Sequence, residues 1–215
     1  AIDSAIAPIR EYAGQLPKDA FFLGEIARCH WIRAMYAHRH DQDASVHIDA
    51  ARKAAQTIVA VRGNMTLATR ILLARIELES LWNHLRAKSK NQVDYDTLFN
   101  LIRPVVEQKS DEAVIYEIMA EAYALRAAMD DGHTQDTAVG LRLMDDALKK
   151  NPSLLQPVAI QSLLHLVDAK KAKDRAASDT SMQQSTNAFA EISRRDKLVA
   201  LDYDYRRNAL LRFFQ

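Results

Sequence analysis

Small residues that return at a nearly constant interval constrain this chain more than any single motif. Ala27, Ala74, Ala120 and Ser162 stand 47, 46 and 42 residues apart. Around three of them the local pattern is the same. Ala27 is followed by His30, Ile32 and Ala34; Ala120 by Tyr123, Leu125 and Ala127; Ser162 by His165, Val167 and Ala169. A small residue, a ring three later and an Ala seven later lie on one helical face, with a branched apolar residue two after the ring. Ala74 opens a weaker copy between Leu73 and Leu78. Such an interval signals a chain assembled from one repeated supersecondary unit that buries its apolar face against its neighbours.

Two further marks keep the same phase. Asp43, Asp96, Asp136 and Asp179 follow the small residues by 16, 22, 16 and 17 positions. Each is expected to open the shorter helix of its unit, because a carboxylate there accepts from orphan N–H groups and opposes the helix dipole. Pro17 and Pro152 each stand ten residues before a small residue, at the junction between units. Apolar periodicity predicts helices over 18–37, 65–88, 111–130 and 155–176. Shorter ones are expected near 44–61, 94–109, 136–150 and 180–194, with a last amphipathic stretch over 197–214. Strand alternation is missing, and 5 Gly and 5 Pro in 215 residues leave little material for hairpins or phosphate loops. The fold class is all-α.

The best unit reads Tyr116, Met119-Ala120, Tyr123, then Gly140, Met144, Ala147-Leu148 and Pro152. This resembles the tetratricopeptide (TPR) repeat: a large residue, a hydrophobic-small pair and an aromatic, then small, large, Ala-Leu and Pro. The same register puts Leu23, Ile26, Ala27 and His30 in the first unit and Val158, Gln161, Ser162 and His165 in the fourth, with Gln161 a departure. Ser185, Phe189 and Ile192 fall at the later positions of the fourth. The second unit departs most, with Arg70 and Glu77 in place of the aromatic residues and Leu98 and Leu101-Ile102 at the later positions. The resemblance implies a TPR-like α-solenoid, a right-handed superhelix of about four helix-turn-helix units near 18–63, 64–110, 111–152 and 153–195. Residues 1–17 are expected to end a preceding repeat or form an N-terminal helix. Residues 196–215 are expected to be a C-terminal capping helix with Arg206-Arg207 facing water. The long turn followed by a recurring Asp is similar to divergent repeats that follow the catalytic region of some bacterial serine/threonine kinases. With Ala1 in place of an initiating Met, this suggests a piece of a larger bacterial protein.

The resemblance also implies where a partner lies: along the inner face of each unit's first helix. That points to Gly24, Arg28, Trp31 and Ile32 in the first unit and Ile71, Arg75, Leu78 and Glu79 in the second. In the third it points to Glu117, Glu121, Ala124 and Leu125, and in the fourth to Ala159, Leu163, Leu166 and Val167. Arg28, Trp31, Ile71, Arg75, Glu117 and Glu121 are the principal candidates, Arg and Trp being frequent interface anchors. Paired basic contacts that clamp a terminal carboxylate in some TPR proteins are not recognisable.

Other chemistries find less support. His38, His40, Asp41 and Asp43 carry zinc-type ligands but fall in an expected solvated turn without helical pairing, so no metal is assigned. Asp130-Asp131-Gly132 lacks the ligand spacing of a calcium loop. No nucleophile, Walker, zincin or kinase motif occurs, and Cys29 reads as a packed residue within a helix. No cofactor is implied. Lys+Arg number 29 against 28 Asp+Glu, a net charge of +1, which argues against a nucleic-acid partner. No apolar run approaches the ~20 residues of a membrane span, and the expected setting is cytoplasmic. The expected function is a non-catalytic protein–protein interaction module that holds a protein or peptide. Self-association stays open, and a ligand- or metal-sensing solenoid is the alternative.

Overall fold

A computed structural model describes residues 19–88, 93–108 and 111–215. The reading of 1–17 as a preceding helix lies outside these residues. All regular structure among the described residues is helical. The helices are α1 (Ala20–Arg39), α2 (Ser45–Arg62), α3 (Leu67–Arg86), α4 (Asp96–Glu107), α5 (Ala113–Met129), α6 (Asp136–Lys150), α7 (Gln156–Lys171), α8 (Arg175–Arg195) and α9 (Lys197–Phe213). A single 3-10 turn, Asp131–His133, joins α5 to α6.

Local chemistry sets several boundaries. Asp19 caps α1 by accepting from the Phe21 amide at 2.8 Å, and Asp196 caps α9 by accepting from Leu198 and Val199. Gly63, with φ 68°, ends α2 in the left-handed conformation that glycine adopts without penalty. Asp174 caps α8 through the Ala177 amide. That start corrects the expected role of Asp179, which lies inside α8. The carboxylate nearest the turn took the cap, and the helix grew longer than its repeat counterparts.

The chain divides into two compact units. One comprises the residues up to Asn83 together with Asp96–Pro104, and the other His84–Tyr95 with Val105–Gln215. In the N-terminal unit α1 and α2 pack as a pair. Ala27, Ala34, Ala51, Ala55 and Ala74 are fully buried there, with Ile48, Leu73 and Ile76 filling the space between backbones that alanine lets approach. In the C-terminal unit α5 pairs with α6 and α7 with α8, and α7 also packs on α5 and α6. The closest approach there is at Gly140, where a Cβ would meet Leu164 Cδ2 at 2.7 Å and the Ala120 carbonyl at 3.3 Å. Ser162 and Ser185, both buried, exchange hydroxyl-to-carbonyl bonds of 2.9 and 2.8 Å between α7 and α8.

Candidate partner-binding faces

In the N-terminal unit, the structure brings Trp31 and Arg75 together. The Arg75 guanidinium carbon lies 5.1 Å from the Trp31 ring centroid, a cation–π distance. Trp31 is half-buried against the alanine-lined core, with its indole N–H enclosed and without an acceptor. Ile71 is half-buried. Arg28 is exposed and donates to Glu25 at 2.7 Å, one turn earlier on α1. A cleft of about 150 Å³ opens beside it, lined by Gly24, Ile58, Arg62 and Thr69 among others.

Four-residue steps from Arg28 lead to Ile32 and Tyr36, and Phe21 lies seven residues before Arg28 on the same side of α1. Phe21, Ile32 and Tyr36 have 66%, 44% and 51% of their surfaces exposed. Phe21 and Tyr36 were not among the residues singled out from sequence. Their signal is that spacing of four and seven, legible once α1 is known to run from Ala20 to Arg39.

Behind this face sits a polar network. His38 Nδ1 meets Glu79 Oε2 at 2.9 Å, and its Nε2 meets Asn83 Oδ1 at 3.2 Å. The Ala44 amide donates to the same Asn83 oxygen, while Asn83 Nδ2 donates to Asp43 and Ser45. Asp43 is held below the usual carboxylate range by the Ser45 hydroxyl and amide and by Asn83. Two expectations are corrected here. His38 does not belong to a solvated turn: it is 1% exposed, in the last turn of α1. Glu79 and Leu78 do not line a groove, because His38 draws Glu79 inward and both are buried. His40, Asp41 and Asp43 are exposed as expected. Among the described residues no three His, Cys, Asp or Glu side chains come together as a metal site. The unusual residues of the second repeat also have partners. Glu77 receives Arg52 through two bonds, 2.7 and 2.9 Å, and Arg70 donates to the Leu101 carbonyl at 3.0 Å.

In the C-terminal unit the predicted face is covered. Helix α9 packs on α7 and α8 and sends Arg206 to the carboxylate of Glu121 on α5. Glu121 is 2% exposed and Arg206 8%. The guanidinium lies between the rings of Tyr203 and Tyr205, at 5.4 and 5.5 Å. Burial, then Glu121, raises the Tyr203 phenol well above its ordinary pKa. Leu125, Leu163, Leu166 and Val167 are buried as well, and Glu117 is half-buried. Glu121 is therefore not an open contact for a partner, and Arg206 does not face water as the sequence suggested. The cause is a buried carboxylate that needs a cation, which the last helix supplies.

On the opposite faces of α7 and α8, a second cleft of about 450 Å³ is lined by Gln161, His165, Gln184, Asn187 and Glu191, among others. Burial pushes the His165 ring below its ordinary pKa, against the pull of Asp168 and Asp145. Gln161 donates to Asp145 at 2.7 Å, which accounts for a polar residue where the repeat has a hydrophobic one. Cys29 is half-buried, and burial raises its thiol, followed by Glu25; that weakens it as a nucleophile. Among the described residues no helix is long and apolar enough to cross a membrane.

No family model, curated protein or solved structure matches this chain.

Proposed function

We propose that this chain is a non-catalytic protein–protein interaction module. Its architecture in this reading is a TPR-like right-handed solenoid of about four helix-turn-helix units, and its partner lies on the first helices. The observation that carries the reading is the outer face of α1, where Phe21, Ile32 and Tyr36 stand exposed on one stripe with Arg28, beside the Trp31–Arg75 pair. Large apolar residues concentrated on one helix face of a folded unit are characteristic of contact surfaces, and Trp and Arg are the residue types most often found at their energetic centres. The helix pairs α5–α6 and α7–α8, with α7 packed on both α5 and α6, support the repeat reading. A narrower form makes the chain the regulatory or scaffold region of a bacterial serine/threonine kinase, supported by the long turn and the recurring Asp.

Affinity capture with isotope-labelled wild type against Ile32→Asp/Tyr36→Asp tests the interaction reading. A partner enriched on wild type and lost on the variant, with unchanged helicity of both by circular dichroism, is the expected result. Equal capture by both, across all proteins recovered, refutes the face.

A further inference from the structure

The middle of α8 has an uncharged outer surface. Residues 180–190 include no Asp, Glu, Lys or Arg, in a chain where 27% of residues are charged. Gln183, Gln184, Thr186 and Asn187 are exposed there. Thr and Asn hold an exposed helix less well than Lys or Glu. Local choices that work against the fold are expected where a surface has a task of its own.

This stretch borders the cleft of about 450 Å³, to which α8 gives Gln184, Asn187 and Glu191 and α7 gives Gln161 and His165. Several polar atoms of these side chains are left over by the fold. Among the described residues Gln184 has no hydrogen-bond partner. Asn187 accepts from Gln183 at 2.8 Å through Oδ1, which leaves its NH2 group unengaged. Gln161 gives its NH2 group to Asp145 and keeps its carbonyl oxygen. His165 is half-buried and makes no hydrogen bond among the described residues. Burial keeps its ring uncharged at neutral pH. The nearby carboxylates are already bonded, Glu191 to Arg195 at 3.1 Å and Asp145 to Gln161.

The cleft therefore offers amide donors and acceptors without an unpaired charge. A charged group brought into it would lose water and find no counter-ion in the lining. A peptide main chain presents alternating N–H and C=O groups, and an amide side chain can meet one of each. Leu148, Val158 and Ala188 supply aliphatic surface beside these groups. No Trp, Tyr or Phe is among the described lining residues, so a sugar ring finds no aromatic face to stack on. The volume falls within the roughly 300–1,000 Å³ of ligand clefts.

We propose that this cleft binds an uncharged, extended peptide segment. Gln161, Gln184 and Asn187 take its main-chain amides, and one apolar side chain of the segment rests on Leu148, Val158 and Ala188. The cleft lies within the C-terminal unit, so it adds a contact site to the interaction reading without depending on α1.

The test uses three probes on the isotope-labelled full chain, followed by amide NMR shifts. The first is the tetrapeptide Ala-Leu-Ala-Ala, acetylated and amidated at its ends. The second is the same molecule with its central amide replaced by an ester, which removes one N–H. The third is maltotetraose, a neutral sugar of similar length. The peptide is expected to bind and to move the side-chain NH2 signals of Gln184 and Asn187. The ester is expected to bind about five-fold more weakly or worse. Gln184→Ala/Asn187→Ala is expected to weaken the peptide by about ten-fold or more; both residues are exposed, and an unchanged spectrum elsewhere verifies the fold. Peptide and ester binding equally would overturn main-chain recognition. Sugar binding as tight as the peptide or tighter would reassign the cleft and overturn the proposal. No peptide binding up to about 10 mM, shifts confined to other helices, or equal binding by the double variant would overturn it as well. None of these outcomes bears on the α1 face, which the capture experiment judges separately.

Discussion

Removing Arg206 is the most informative single perturbation of the C-terminal unit. Glu121 is 2% exposed and Arg206 8%, so both charges have left bulk water and each is held by the other. Arg206→Met keeps most of the apolar stem but strips the guanidinium from a buried carboxylate, and with it the bond to the Tyr205 hydroxyl. Breaking one side of such a pair costs about 3–5 kcal/mol. Truncation of an exposed pair costs about 1 kcal/mol or less. The separation between those values decides the matter. Adding Glu121→Leu to Arg206→Met replaces both charges with apolar groups of similar volume, so most of the loss should return. The double variant is expected within about 1–2 kcal/mol of wild type, either side. Urea unfolding of wild type, both single variants and the double variant gives the coupling energy directly. It is expected at about 4 kcal/mol or more and favourable, since two single losses of about 3 kcal/mol or more are set against a double variant within about 2 kcal/mol of wild type. A coupling below about 0.5 kcal/mol, with both single variants near wild type, would refute the argument: α9 would not hold a buried charge on α5, and the C-terminal face would be open to partners after all.

Two further outcomes follow from packing and burial. Gly140→Ala should destabilise, because its Cβ falls 2.7 Å from Leu164 Cδ2 and Leu164 is fully buried, whereas Gly24→Ala meets only Ile58 Cδ1 at 3.9 Å and should stabilise through helix propensity by up to about 1 kcal/mol; equal effects in thermal unfolding would refute the close approach. The His165 ring, held below its ordinary 6.5 by burial, makes the folded chain bind fewer protons than the unfolded one, so its contribution is intact above 6.5 and is lost as pH falls from there to the depressed folded value. His165→Gln should flatten that slope in urea midpoints measured from about pH 8 down to about pH 5, and an unchanged slope would assign it elsewhere.

Helical class was legible because helix periodicity is a local signal. The small positions were legible too, since close helix approach leaves few alternatives to Gly, Ala and Ser. Gly140 against Leu164 and Ser162 against Ser185 are the contacts that such residues permit. What escaped was the destination of polar side chains. His38 reads as a turn residue because Arg39, His40 and Asp41 follow it. Its burial depends on Glu79 and Asn83, 41 and 45 residues away. Asp179 lost to Asp174 because a cap is chosen by the position of the turn, which periodicity fixes poorly in a helix as polar as α8. Arg206 reads as a solvated basic residue because Asp202, exposed and four residues earlier, offers a local surface partner. Glu121 lies 85 positions earlier. The misses at His38 and Arg206 are long-range side-chain pairings, for which a helix sequence carries no periodic signature. The same holds for the candidate site. Arg28, Trp31 and Arg75 were picked out by their phase in the repeat, whereas the covering of the C-terminal face depends on where α9 goes.

The net charge of +1 conceals a division of labour that bears on partner choice. In the N-terminal unit, acids on the packed side have internal partners: Glu77 the guanidinium of Arg52, Glu79 the ring of His38. In the C-terminal unit Glu121 is spent on Arg206. The two units do this by different routes. The N-terminal one uses side chains of α1 and α2. The C-terminal one uses a helix of the chain itself, under which Glu121 and Leu125 are buried. A free cation approaching Glu121 meets a carboxylate whose guanidinium is already tethered in place, at an effective concentration that a free competitor reaches only in the millimolar range or above.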